Sequence, residues 1–244
     1  MLRYRASGIH FLICLLIGLI LLALCWFVWY PAPMLMAIGG QEIFLLIVGI
    51  DVILGPLLTL MVFNPAKRRM VLRMDLAVIV CLQIAAMVYG VSTLLEARPA
   101  FVAALGDKFQ VVLATEFTSE NLAKGKARIP WWGPVWVGTR EPEDKNDISL
   151  VQLLSSMGFG RGHVPNLYIP YAEMRDEILA RAQPIADLKK DNPSDVLEID
   201  AWLAKHGHDD KTVVFQPILI RATAFAVILD AKTAEVVGIS PFSP

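Results

Sequence analysis

Apolar residues are unevenly distributed along this 244-residue chain. Before residue 96 they form three nearly unbroken runs, at about 9–29, 43–63 and 76–95. A bilayer core needs about 20 consecutive apolar residues, so each run predicts a transmembrane helix. The first run exceeds the roughly 7–15 apolar residues of a signal peptide. Trp26, Trp29 and Tyr30 at its end read as an interfacial aromatic belt. Residue 31 opens a short loop to residue 42, and Asn64-Pro65 ends the second run.

After residue 96 the pattern becomes that of a mixed domain. Alternation and β-branched residues predict strands at 108–114, 213–220, 223–229 and 235–239, with a turn at 230–233. Helical stripes appear at 148–157, at 171–182 behind Pro170, and at 195–206, where Ser194 is placed to cap and Gly207 to stop the helix. The predicted architecture is a membrane protein. Three N-terminal transmembrane α-helices (1–95) precede a periplasmic α+β domain (96–244) with a small antiparallel sheet.

Charge sets the orientation. Arg3 and Arg5 precede the first run, and Lys67, Arg68, Arg69 and Arg73 lie between the second and third. The loop after the first run has no Lys or Arg. By the positive-inside rule, the N-terminus and the second loop are cytoplasmic and the rest of the polar chain lies outside. The cytoplasmic part is then too small for a kinase, a nucleotide site or an effector domain. Only 18 % of residues are charged, against about 25 % in soluble domains. Residues 96–244 carry 16 Lys/Arg and 20 Asp/Glu, a weakly acidic balance that offers no nucleic-acid surface. Cys14, Cys25 and Cys81 all fall in apolar runs, so the polar domain has no internal disulfide.

Residues 49–69, GIDVILGPLLTLMVFNPAKRR, hold the candidate chemistry. Asp51 lies about 12 Å into the second run by helix rise, where an aspartate costs about 2.5–3.5 kcal/mol on insertion scales. Gln83 lies at a similar depth in the third run, so a protonated Asp51 donating to Gln83 would satisfy both. Gly55-Pro56 interrupts the same helix. Pro56 is expected to free the carbonyl of Val52, with Thr59 or a neighbouring helix satisfying the exposed groups. The bland reading is an internal helix–helix hydrogen bond. The functional one is a dock for another transmembrane segment. Ala86 and Gly90 allow close helix approach.

In the polar domain, Trp131, Trp132 and Trp136 in IPWWGPVWVG form a candidate binding platform, against core or membrane-surface packing. His206 and His208 read as a solvated loop rather than a metal site. The glycine-rich stretch 158–163 reads as a flexible loop without nucleotide-fold spacing. Ser155, Ser156 and His163 lack a nucleophile-elbow pattern.

The D-x-x-x-G-P-L-L-T core, carried by Asp51, Gly55, Pro56, Leu57, Leu58 and Thr59, resembles the TfpX/TfpZ-type (FimB-like) type IV pilin accessory proteins. Arg98, Pro99, Asp107 and Phe109 carry a second matching element. The resemblance implies an inner-membrane, non-enzymatic chaperone or modulator whose partners are the major type IV pilin and membrane lipid. No cofactor, metal, nucleic acid or small-molecule substrate is expected. Partner contacts are assigned to Asp51, Gly55, Pro56, Thr59, Gln83, Trp131, Trp132 and Trp136. A membrane-tethered periplasmic enzyme and a periplasmic sensor are the rival classes. The first needs an acid–base pair or nucleophile in the polar domain, and the second a separate partner to carry its signal.

Overall fold

A computed structural model describes residues 2–221 and 223–244. The chain divides into two compact units, one of Met1–Pro31 with Gly39–Ala97, the other of Ala32–Ile38 with Arg98–Pro244.

In the first unit, among the described residues, three helices are long and apolar enough to cross a membrane: Leu2–Trp29, Gly40–Val62 and Arg69–Glu96. The first is α1 (Leu2–Leu24) followed by a π-helical turn at Cys25–Trp29. The short α2 (Met34–Ala37) belongs to the second unit. The second long helix is α3 (Gly40–Gly49), a π-helical turn at Ile50–Leu54, and α4 (Gly55–Val62). The third is α5 (Arg69–Glu96). Helix α1 and the third helix begin earlier than the apolar runs, because hydropathy marks only the lipid-suited part of a helix. Backbone bonding continues through Arg3, Arg5 and Arg73.

The second helix is packed on by both others: α1 lies along α4, and α5 along α3 and α4. Glycines set these approaches. A Cβ on Gly18 would meet Val48 Cγ1 at 3.1 Å, and one on Gly90 would meet Ile47 Cγ1 at 2.4 Å. The aromatic belt is only partly realised. Trp26 is exposed, but Trp29 and Tyr30 are buried, and Tyr30 Oη donates to Leu94 O at 2.5 Å. That bond ties the end of the first helix to the end of the third.

The second unit runs, after α2, through β1 (Pro99–Ala104), β2 (Phe109–Leu113), α6 (Ser119–Lys124), β3 (Val135–Thr139), α7 (Lys145–Ser156), β4 (Tyr168–Pro170), α8 (Arg175–Arg181), β5 (Gln183–Pro184), α9 (Ile185–Asp191), α10 (Val196–Lys205), β6 (Val213–Ile220), β7 (Thr223–Asp230) and β8 (Val236–Ser240). The strands form one sheet ordered β4-β3-β1-β2-β6-β7-β8, with β5 paired to β6. The expected antiparallel sheet is therefore corrected to a mixed one. Strands β1 and β3 pair in parallel, as do β2 and β6. Hairpin signals reveal only partners adjacent in sequence, which are antiparallel. Parallel pairs need a long crossover, and the one joining β2 to β6 encloses most of the domain.

Helices α9 and α10 cover one face of the sheet with Ile185, Leu188, Ile199 and Leu203 on Val213, Phe215, Ala226 and Ile228. On the other face of β6, Gln216 is fully buried, and its amide donates to Gly106 O and Ile178 O, both at 2.8 Å. Burial on both faces explains why β6 reads as a nearly continuous apolar run. Helix α10 starts after Asp195, with no side-chain cap, rather than on a Ser194 cap. The turn after β7 is as read: Asp230 Oδ1 accepts from Lys232 N at 2.9 Å and Thr233 N at 2.8 Å.

The packing at Gly90 yields a prediction. Gly90→Leu forces side-chain atoms into Ile47, and overpacking of this kind costs about 1–3 kcal/mol. The variant should show a lower unfolding midpoint in detergent, and Ile47→Ala in the same chain should recover part of the loss. An unchanged midpoint would mean that the two helices separate without penalty.

Candidate functional site: a polar groove among apolar helices

Pro56 creates the local problem from which the site is built. Its nitrogen cannot donate, so one carbonyl in the preceding turn loses its partner. In lipid an unpaired carbonyl costs several kcal/mol. In an α-helix the deprived carbonyl would be that of Val52. Here Ile50–Leu54 is π-helical. Its bonds run from residue i to i+5, so the deprived carbonyl is that of Asp51. Gln83 Nε2 donates to it at 3.2 Å.

The Gln83 side chain thus lies beside the Asp51 carboxyl, but its N–H groups are directed elsewhere. The Gln83 amide serves the Asp51 backbone and, at 3.6 Å, Cys14 Sγ. An amide nitrogen has two donors, and both are used. The Asp51 carboxyl is 3 % exposed, and neither oxygen has a hydrogen-bond partner among the described residues. Gln83 Oε1 is likewise buried and unpartnered among them. The amide orientation follows from the Asp51 carbonyl, which needs a donor opposite it.

Gly55 allows this arrangement. A Cβ there would lie 2.1 Å from Gln83 Nε2, so only glycine lets the amide reach the backbone. Thr59 is buried and bonds His10 Nδ1 at 2.6 Å, and Ser7 Oγ donates to Pro56 O at 2.8 Å. The structure thus brings Asp51, Gly55, Pro56, Thr59 and Gln83 together, as the reading of residues 49–69 expected. It adds Ser7, His10 and Cys14 from α1. Their spacing, i, i+3 and i+7, places three non-aliphatic residues on one helical face, a pattern visible in the sequence.

A cavity of about 420 Å³ opens at this point. Its walls are His10, Ile13, Cys14 and Ile17 of α1 and Val80, Gln83, Ile84, Met87 and Val88 of α5, with Asp51 from the second helix. Apart from His10, Cys14, Gln83 and Asp51, the lining residues are apolar. The arrangement is a groove between two helices, floored by a third, with hydrogen-bond acceptors at its base.

The tryptophans do not make one platform. Trp131 and Trp132 are exposed in the bend before β3. The Arg98 guanidinium lies 5.8 Å from the Trp131 ring, and its Nη2 donates to Pro130 O. Trp136 enters β3, where alternation turns it into an aromatic cluster with Phe109 at 5.4 Å and Tyr171 at 6.3 Å. Burial pushes the Tyr171 phenol up to about 12, so it remains a donor, to Ala234 O.

The glycine-rich stretch is pinned rather than loose. Arg161 bonds Thr139 Oγ1, Leu105 O and Glu141, and a Cβ on Gly162 would meet Gln110 Oε1 at 3.0 Å. His163 is buried, with Nε2 3.2 Å from Glu116 Oε2 and Nδ1 accepting from Gly160 N. His206 stacks on Trp202 at 3.8 Å.

Known proteins supply an independent comparison. The family model described as "Fimbrial assembly protein FimB" matches residues 1–39. A fimbrial assembly protein of serogroups C1 and C2 from Dichelobacter nodosus is 40 % identical over 118 residues, covering 48 % of this chain and 90 % of that protein. The chain belongs to the FimB family of fimbrial assembly proteins. Fimbrial assembly proteins of serogroups I and E1 from the same organism are each 29 % identical over 231 residues, which is 93 % of this chain and 90 % of each relative. The likeness to these FimB-family relatives thus extends over both the apolar helices and the sheet domain. No solved structure matches the chain.

The link between Gln83 and Pro56 is testable by a double-mutant cycle. Gln83→Leu leaves the Asp51 carbonyl unpaired and should destabilise the protein by about 1–3 kcal/mol. Pro56→Ala restores a backbone donor. In the Pro56→Ala background, Gln83→Leu should cost clearly less, as read from unfolding in detergent. Equal costs in both backgrounds would show that the amide does not replace the missing N–H.

Proposed function

We propose that this protein is an inner-membrane fimbrial (pilus) assembly factor. It holds the apolar helix of a pilin subunit in the groove between α1 and α5 before incorporation into the fibre. The role is that of a binding partner, a chaperone or modulator, rather than of a catalyst. Family membership supports the assembly role. The observation that carries the docking step is the Asp51 carboxyl, buried and unpartnered at the base of an apolar groove.

The physical reasoning concerns association in lipid. Helices in a bilayer gain little from the hydrophobic effect on meeting, so packing and interhelical hydrogen bonds drive their association. A groove with unused acceptors offers both. Among the described residues, neither oxygen of the Asp51 carboxyl has a hydrogen-bond partner of regular geometry. A pilin poised in the membrane presents the matching element, one long apolar helix below a globular head. The N-terminus and the loop carrying Lys67–Arg73 face the cytoplasm in this reading, and the sheet domain faces the periplasm, beside the pilin head.

Two outcomes are expected. Reporter fusions after Pro244 and within residues 64–74 should give opposite readings, and a cytoplasmic C-terminus would remove the periplasmic role. Asp51→Leu should reach the membrane at parental levels or above, because it removes a polar group from mid-membrane. Its co-purifying pilin should fall by about tenfold, the loss expected for a charge-assisted hydrogen bond, and surface pili should fall with it. Parental pilin capture by this variant would leave Asp51 a structural residue.

A further inference from the structure

Among the described residues, the groove's buried polar atoms without a partner are all of one kind, and that specifies the chemistry of what fills it. Asp51 Oδ1, Asp51 Oδ2 and Gln83 Oε1 are buried acceptors without partners among the described residues. The Gln83 donors are already committed to Asp51 O and Cys14 Sγ. His10, which also lines the cavity, bonds Thr59 through Nδ1 and makes no bond to the carboxyl. Among the described residues, the site therefore offers three unpartnered acceptors, two of them on an acidic group.

A neutral occupant leaves most of this unmatched. A hydroxyl supplies one donor. A protonated Asp51 would pair with Gln83 Oε1, leaving its own second oxygen bare. A metal ion of the hard class seeks about six to eight oxygens, twice the number available. A primary ammonium supplies three donors and no acceptor, and its charge balances an ionised carboxylate. Charge-assisted bonds of this type are also the stronger ones.

Depth decides what carries the ammonium. Asp51 is the twelfth residue of the 23-residue helix Gly40–Val62, so it lies about 17 Å from either end. Phospholipid headgroups stay at the surface of a hydrocarbon core about 30 Å thick. A headgroup amine does not reach this depth, whereas a partner helix can carry an amine there. The geometry points to a binding site for a primary ammonium group borne by a partner transmembrane helix, held by Asp51 and Gln83 at the base of the α1–α5 groove. This rests on the docking role proposed above and names the chemistry that the groove recognises.

The test uses the full chain in lipid nanodiscs and three photoreactive probes that share one diazirine-bearing alkyl chain. One ends in a primary amine, one in a hydroxyl, and one in a trimethylammonium group. Labelling of the α1 and α5 peptides is read by mass spectrometry. The amine should label these peptides at least about tenfold more than the alcohol, the ratio that one charge-assisted hydrogen bond provides. The trimethylammonium probe, which has charge but no donors, should stay near the alcohol. Asp51→Asn, nearly the same shape, should bring the amine down to the alcohol's level, and Asp51→Glu should retain a preference. Equal labelling by amine and alcohol, or a preference that survives Asp51→Asn, would overturn the inference. Equal labelling by the amine and its trimethyl analogue would overturn the three-donor argument. If labelling shows no preference while pilin capture still depends on Asp51, the ammonium chemistry falls and the docking role stands.

Discussion

A hydrocarbon core contains no water to satisfy a backbone carbonyl, and Pro56 removes a backbone donor in the middle of a helix long and apolar enough to cross one. The geometry of the first unit follows from how that deficit is met. The π-helical turn shifts it from Val52 to Asp51. The Gln83 amide meets it from the third helix, and Gly55 clears the approach. Ser7 and Thr59 join the first helix to the same region. With the amide committed to the backbone, the Asp51 carboxyl has no hydrogen-bond partner of regular geometry among the described residues. A structural repair thus leaves an unsatisfied acid at the base of a groove.

π-helical turns often mark functional sites, and here the turn has a specific consequence. It rotates the following half-helix, so that Gly55, Pro56 and Thr59 are buried while Leu57 and Leu58 stay exposed. The polar residues of the second helix therefore converge on its neighbours, and its aliphatic residues remain suited to lipid. A helix that tolerates Pro56 in this way is held by its partners rather than by its own ladder.

The sheet domain follows different rules. Its central strands are covered on both faces, and the fully buried Gln216 is held by two carbonyl acceptors. Its parallel pairs, β1–β3 and β2–β6, bring distant segments side by side. The segment between the first two apolar helices belongs to this unit, where Arg221 Nη1 donates to Ile38 O at 3.0 Å.

What the sequence by itself determined were properties carried by local composition. Three membrane-length helices, the interruption at Gly55-Pro56, the isolated Asp51 and the hairpin around Asp230 were all legible, because each depends on neighbouring residues. Tertiary structure alone decided the rest. That the Gln83 amide reaches the Asp51 backbone depends on helix register, which a single proline shifts by one residue. Whether three tryptophans share a surface depends on where β3 begins, which sends Trp136 inward and leaves Trp131 and Trp132 outside. The mixed sheet, the pinned loop at 158–163 and the share of α1 in the groove all rest on contacts between segments remote in sequence. Such contacts leave no periodicity along the chain, since the residues that make them are selected by packing in three dimensions.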